Sequence, residues 1–362
     1  MKRILALLVL CAMIFSLAAC SNPGASSTPA DPTEADVSQT ADDDKYGGTI
    51  HLPIEGDPST FVAWKISSDI EEAIAPVYLE PLMRCDESGQ PQPFLLESLT
   101  EDADALTYTL VLKDGIKFHD GSALDAEALK WNIDMYVQEG ALASSFYKNV
   151  ESTEVIDDKT VVIHMSKWDS LLPYAMTRSL YMTSKEAYEA GGEAALEAAP
   201  VGTGAFKFES WQHGSSVSFT RFDDYWQGKP YLDGVVLDVY GNSLVIQASM
   251  EAGELDAFVC ADFDMAKSME EKGFTLIKSA IPAQAFTLNF NSYDTSTPLG
   301  DVNVRKALSH AINKQAIVDA LCSGFAQPSN QWALPGNVQY NEDVTGFDYD
   351  PEKAKEMLAE AG

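Results

Sequence analysis

Positive charge is scarce in this sequence. Lys and Arg number 24 against 55 Asp and Glu, a formal net charge of −31 over 362 residues. A phosphate backbone needs a concentrated basic surface, and no Lys/Arg run here exceeds two residues, so most nucleic-acid functions are excluded. An acidic surface of this kind favours solubility and cationic partners without specifying a fold. Cysteine is sparse as well. Cys11, Cys20, Cys85, Cys260 and Cys322 form no C-x-x-C pair, which removes zinc ribbons and thioredoxin-like motifs. The last three lie far apart in apolar or mixed surroundings and are expected to be small buried hydrophobes, with one disulfide left open.

The signatures of catalysis are missing too. No two of His51, His119, His164, His213 and His310 lie three to five residues apart, so no helical or hairpin metal pair exists. There is no G-x-S-x-G elbow. Gly202-Thr203-Gly204 lacks the later glycine of a dinucleotide loop and the lysine of a P-loop. Asp348-Tyr349-Asp350-Pro351 lacks the glycine and closing glutamate of a calcium loop. The sequence therefore reads as a non-enzyme with no catalytic residue, metal ligand or cofactor.

Long apolar runs are confined to the start. Residues 4–15 are apolar and uncharged but shorter than the about 20 residues a spanning helix needs. Lys2 and Arg3 precede them and Leu17-Ala18-Ala19-Cys20 follows, so 1–20 reads as a signal peptide. Its last four residues resemble a bacterial lipobox, which implies cleavage before Cys20 and lipid attachment to it. Residues 21–45 are rich in Ser, Thr, Pro, Ala and Asp and read as a flexible tether.

The remainder mixes strands and helices without a regular β-α repeat, an α/β pattern. Strands are expected at 49–54, 160–165, 206–211, 217–222, 235–240, 255–259 and 286–291, and one from the alternation of Leu106, Tyr108, Leu110 and Leu112. Asp125 should cap a helix ending at Gly140, and 243–252 a helix stopped by Gly253. Asp301 should cap a helix with Val304, Ala307, Leu308 and Ala311 inward. Asn313 should start another, closed by Gly324, and 350–362 reads as an amphipathic helix. His119, Asp120, Tyr225 and Trp226 read as structural, and Arg305 as one half of an ion pair.

Three blocks carry a family resemblance. The first runs from Thr107-Tyr108-Thr109-Leu110 through Lys113-Asp114-Gly115-Ile116-Lys117-Phe118-His119-Asp120-Gly121 to Leu124-Asp125-Ala126-Glu127. The second runs from Val201-Gly202-Thr203-Gly204-Ala205-Phe206 through Asp224-Tyr225-Trp226-Gln227-Gly228-Lys229-Pro230 to Glu251-Ala252-Gly253-Glu254-Leu255-Asp256. The third is Leu288-Asn289-Phe290-Asn291 with Asp301-Val302-Asn303-Val304-Arg305-Lys306-Ala307-Leu308 and Ala311-Ile312-Asn313. Their order and spacing resemble the family 5 extracellular solute-binding proteins, the peptide, oligopeptide and nickel group.

The resemblance implies a two-lobed, periplasmic-binding-protein type II-like fold. Lobe I would take 46–65 and 200–280, an extra subdomain 66–199, and lobe II would start at 281–362. The family's return to lobe I has no counterpart here, so a C-terminally truncated chain with an incomplete, partly exposed second lobe is expected. The implied function is a monomeric, lipid-anchored receptor on the extracytoplasmic face of the membrane. It would capture peptides between its lobes and pass them to the permease of an ATP-driven importer. A nickel chelate, an oligosaccharide or another organic solute is the alternative ligand, and a peptide-sensing lipoprotein the alternative role. Candidate ligand contacts are Ser59, Thr60, Phe61 and Trp64 after the first strand, Tyr78, the paired amides Asn289 and Asn291, and Trp332.

Overall fold

A computed structural model describes residues 45–140, 144–278, 285–335 and 339–362. The leader, Cys20 and the tether up to residue 44 lie outside the described residues, as does 281–284 at the expected start of lobe II.

The chain begins with β1 (Thr49–Ile54), α1 (Asp69–Tyr78), the small pair β2 (Met83–Cys85) and β3 (Pro91–Pro93), then β4 (Leu96–Asp102) and β5 (Thr107–Leu112). Next come α2 (Ala126–Glu139), the single turn α3 (Ser144–Tyr147), β6 (Val150–Val155), β7 (Thr160–Met165), the single turn α4 (Leu172–Ala175) and α5 (Lys185–Ala198). β8 (Phe206–Gln212), β9 (Ser216–Arg221) and β10 (Gly234–Val239) lead into α6 (Ser243–Ala252) and α7 (Phe263–Glu271). The last elements are α8 (Val302–Ala311), α9 (Lys314–Leu321) and α10 (Pro351–Ala361).

Two four-stranded sheets organise these elements. The first has the order β1-β10-β9-β8, with β1 parallel to β10 and the other pairs antiparallel. The parallel register runs from Thr49 opposite Gly234 to Ile54 opposite Val239, so both strands end side by side. The second sheet, β4-β5-β7-β6, is antiparallel throughout. Period-two burial sets its inner face: Tyr108, Leu110 and Leu112 on β5 and Val161, Ile163 and Met165 on β7 are buried. α2 covers it with Leu129, Ile133 and Tyr136, the 3.6-residue stripe expected of an amphipathic helix. One apolar core runs through both sheets and α1. Tyr46–Gly362 form one compact unit, and no helix among the described residues is long and apolar enough to cross a membrane.

Helix ends follow local polar chemistry. Asp125 accepts from Ala128 N, Asn242 from Val245 N, Asp301 from Asn303 N and Asp350 from Lys353 N, each filling an orphan donor of a first turn. Gly253 ends α6 with φ 74°, the left-handed position that favours glycine.

Several expectations are corrected. Leu106 is a turn residue with φ 56°, and β5 starts one residue later. Residues 255–259 and 286–291 form no strand. Alternation supplies a face but not a ladder, and no strand among the described residues bonds to 286–291. On α8 the inward stripe is Val304, Ala307 and His310, while Ala311 is exposed, because α10 lies along that stripe. The His310 Nδ1–Asp348 O contact (2.8 Å) and the Asp350 N to His310 O bond (2.9 Å) fix this packing. Among the described residues Arg305 makes no ion pair; its Nη1 donates to the carbonyls of Leu299 and Gly300 at 2.8 and 3.0 Å. Cys85 is exposed and Cys260 and Cys322 are half-buried, all three free thiols rather than core hydrophobes.

Candidate functional site

The parallel strands β1 and β10 end together, and ligands of α/β sheets collect beyond such carboxyl ends. From Ile54 the chain enters the 55–68 loop, and from Val239 it turns into α6. The loop is braced almost entirely by carboxylates. Asp57 accepts from Trp211 Nε1 (3.1 Å) and Gly214 N (2.7 Å), tying it to the β8–β9 turn. Glu71 Oε1 accepts from both the backbone and the hydroxyl of Ser59, at 2.8 and 2.9 Å. Its other oxygen accepts from Ser68 N (2.9 Å) and the Ser68 hydroxyl, the capping box that starts α1. Burial alone raises the Glu71 carboxyl, but these hydrogen bonds from Ser68 and Ser59 bring it below the usual carboxylate value.

The other braces come from the far side of α5. Gly191 and Gly192 break that helix, with φ 67° at Gly192. The segment after the break presents Glu193 and Glu197, one turn apart, to the loop. Glu197 accepts from Thr60 Oγ1 (2.6 Å) and Phe61 N (2.8 Å). Glu193 accepts from Trp64 Nε1 (3.1 Å) and forms an ion pair with Lys65. The hydrogen bond from Lys65 holds Glu193 below its ordinary value and raises Lys65 in return.

This bracing decides where the expected contact residues point. Phe61, Trp64 and Tyr78 are 2%, 0% and 2% exposed, so they build the underside of the loop rather than a wall of a site. Phe61 meets Tyr78, Phe208 and Trp211 edge to face, and Tyr78 donates its hydroxyl to Phe61 O at 2.8 Å. Trp64 packs against Trp131 and Tyr188. Thr60 is buried with its hydroxyl on Glu197. Ser59 is exposed, with its hydroxyl donated to Glu71. Asn289, Asn291 and Trp332 are exposed, Trp332 by 69%. No hydrogen bond, ion pair or ring contact among the described residues joins these three to the Ser59 loop.

Beside the loop lies a cavity of about 390 Å³. Glu55, the first residue after β1, lines it, as do Ser243 at the start of α6 and Asp262 just before α7. Ile246 and Met265, at 3% and 7% exposure, are among its apolar lining. Cys260 also lines it; its thiol donates to Asp262 O at 3.1 Å and is pushed up by burial. Sequence reasoning missed this cavity, because 255–259 reads as a strand and the turn of this stretch toward β1 leaves no local signal. Among the described residues no group of three or more His, Cys, Asp and Glu is arranged to hold a metal.

A second cluster fastens 202–204, where the chain passes from α5 to β8. Gly204 N donates to Tyr78 O (3.0 Å), and a Cβ on Gly202 would lie 2.1 Å from that oxygen. Nε2 of His119 donates to Gly204 O (2.9 Å) while Nδ1 accepts from Gly202 N (3.3 Å), which fixes the neutral tautomer. Burial pushes this imidazole down to about 4. Thr203 Oγ1 donates to the buried Glu80 (3.0 Å), which also accepts from Tyr225 hydroxyl (2.5 Å) and Trp226 Nε1 (2.9 Å). Burial raises the Glu80 carboxyl despite these donors. The cluster serves structure, as read for His119, Tyr225 and Trp226.

Residues 90–362 match the model of the bacterial extracellular solute-binding proteins, family 5 Middle. The glutathione-binding protein GsiB of Salmonella paratyphi A is 30% identical over 312 residues, covering 84% of this chain and 59% of that protein. The chain thus spans about three fifths of the length of such relatives. Among solved structures, the Bacillus subtilis oligopeptide-binding protein AppA, in complex with a nonapeptide, superposes with a TM-score of 0.69 at 26% identity. That match covers 88% of this chain and 64% of AppA. NikA from Brucella suis, in complex with Fe(III)-EDTA, shares the fold, with a TM-score of 0.77 at 24% identity over 87% of this chain and 64% of NikA.

Proposed function

The chain belongs to the family 5 bacterial extracellular solute-binding proteins, and from that premise we propose that it captures a peptide outside the cell and delivers it, unaltered, to the permease of an ATP-driven importer. The observation that carries this reading is the joint end of β1 and β10 at a cavity beside a loop whose polar groups are already braced. A preorganised platform loses little entropy on binding. The glutathione-binding relative and the nonapeptide complex of AppA favour a peptide over other solutes.

Capture works by closure. The ligand is held between two lobes at the expected boundaries, and the closed state is favoured only by the contacts it adds. A micromolar dissociation constant corresponds to about −8 kcal/mol, enough to hold a peptide and still release it. Main-chain hydrogen bonds supply affinity and side-chain pockets tune it. Ser59 lies at the loop surface, and Asn289, Asn291 and Trp332 present amides and an aromatic face from the second lobe. Phe61, Trp64 and Tyr78 hold the loop from beneath. No bond is made or broken, in agreement with the missing catalytic motifs.

Lipid at Cys20 would keep the protein near its permease by raising effective concentration. Metabolic labelling with a clickable fatty acid tests this; Cys20→Ser should abolish the label. Thermal unfolding with defined tripeptide pools tests capture itself. A ligand at 100 times its dissociation constant stabilises by about 2.7 kcal/mol. A pool series that leaves the unfolding temperature unchanged contradicts the peptide reading.

A further inference from the structure

Two parts of the chain meet at one small place. The apolar core of the first part runs from Ile54 to Val239. In the second part α8 and α10 pack on each other, burying Val304, Ala307 and Ala354. Among the described residues, the hydrogen bonds and ring contacts that join 45–278 to 285–362 all fall on the turn after α9. Ser323 Oγ donates to the Asp264 carboxylate at 2.7 Å. Phe325 stacks with Phe263, ring centroids 6.1 Å apart and planes 19° from parallel. Lys278 Nζ lies 4.6 Å from the centroid of the Phe325 ring, within reach of a cation–π contact.

The turn is shaped to make these contacts. Cys322 N donates to Val318 O (3.0 Å) and Phe325 N to Cys322 O (2.7 Å), which closes α9 and folds the chain back. Ser323 and Gly324 have φ of 46° and 85°, two left-handed residues in succession. Glycine takes that conformation freely, whereas serine holds it at a cost that its surroundings must offset. The hydrogen bond to Asp264 is one such restraint. Phe263 and Phe325 are half-buried, while Phe286, Tyr293 and Trp332 in the same second part are 78%, 97% and 69% exposed. Phe263 and Asp264 also lie between Asp262 and Met265, both of which line the cavity beyond β1. The two parts thus touch beside the space that a solute would enter.

We propose that the Ser323–Phe325 turn is an interlobe latch, which holds the lobes together beside the cavity and raises the affinity for solute without touching it. The proposal rests on the reading of this protein as a two-lobed peptide receptor, with Phe263, Asp264 and Lys278 in lobe I and Ser323 and Phe325 in lobe II. The latch is made when the lobes meet and lost when they part. It therefore raises the fraction of protein in the closed state, and the apparent dissociation constant falls in proportion. One aromatic pair with a cation on its ring is worth about tenfold in that ratio, small enough for the lobes to reopen.

Small-angle X-ray scattering of the free protein and tryptophan-fluorescence titration with defined tripeptide pools test the latch. Phe325→Ala should shift the radius of gyration upward and raise the half-saturating peptide concentration about tenfold. Phe263→Ala should do the same, and the double variant no more than either alone, because both remove one contact. Phe325→Tyr keeps the ring and should restore wild-type behaviour. Tyr293→Ala removes a ring that is 97% exposed and should move neither readout. Should Phe325→Ala fail to fold, Ser323→Ala removes only the hydrogen bond to Asp264 and should shift both readouts in the same direction by less. A lowered unfolding temperature with unchanged scattering and unchanged affinity marks the contact as plain packing and overturns the proposal, as do additive losses in the double variant. Pools that bind every variant equally, with superposable scattering curves, overturn the latch and leave the peptide reading standing. If the scattering shift holds while no pool binds the wild type, the latch stands and the peptide reading fails.

Discussion

Acid should unfasten the join between α5 and β8 at a single imidazole. His119 is neutral in the folded protein, with Nε2 donating to Gly204 O and Nδ1 accepting from Gly202 N. A proton on Nδ1 would turn that acceptor into a second donor facing an N–H. Around the ring stand Phe222, edge-on at 5.2 Å, and the charges of Asp120 and Lys207. Burial dominates and lowers the group from 6.5 to about 4. Between those values the unfolded chain binds a proton that the folded chain refuses. Stability is therefore intact above pH 6.5, falls as the pH drops toward 4, and loses no more from this group below that. The shift is worth about 3 kcal/mol. Urea unfolding at pH 7.5, 6, 5 and 4 should be measured for the wild type and for His119→Gln. The variant starts from lower stability, but its decline over this interval should be smaller by about 3 kcal/mol. Other titrating groups are common to both proteins and cancel in the difference. Parallel pH profiles would refute the reasoning, as would an NMR titration that places the His119 imidazole near 6.5.

Other expectations follow from the same contacts. Glu197→Ala removes the acceptor of Thr60 Oγ1 and Phe61 N, two buried donors. It should cost about 1–3 kcal/mol and speed amide exchange at Phe61 and Val62, and unchanged exchange there would contradict the bracing of the loop. Gly202→Ala places a Cβ 2.1 Å from the Tyr78 carbonyl, backbone that cannot move aside. It should destabilise by about 1–3 kcal/mol in thermal unfolding. Gly241→Ala, with open space around it, should stay within about 0.5 kcal/mol.

How much was legible in the sequence depended on whether the deciding partner is local. Asp125, Gly253, Asp301 and Asp350 announce helix ends because each acts on amides or backbone within a turn of itself. The Ser68–Glu71 capping box that starts α1 is a signal of the same local kind. The strands β5 and β7 follow from alternation, but 286–291 alternates just as well and bonds to no strand among the described residues. The site was harder. Aromatic residues in a polar loop read the same whether they meet a ligand or a core. For Phe61 and Trp64 the choice is made by Glu197 and Glu193, which approach from well over a hundred residues away. The Gly191-Gly192 break that aims them carries no mark of its target. The fastening at His119 and Glu80 likewise depends on three separated stretches meeting, although His119, Tyr225 and Trp226 read as structural.

The most direct test of solute capture is native mass spectrometry of the protein purified without denaturation from cells grown on a peptide-rich medium. The account predicts a bound fraction that releases an intact peptide on activation, with exchange for added peptide. A protein that carries no adduct and gains none in the presence of peptide pools, or one that returns the added peptides cleaved, would contradict it.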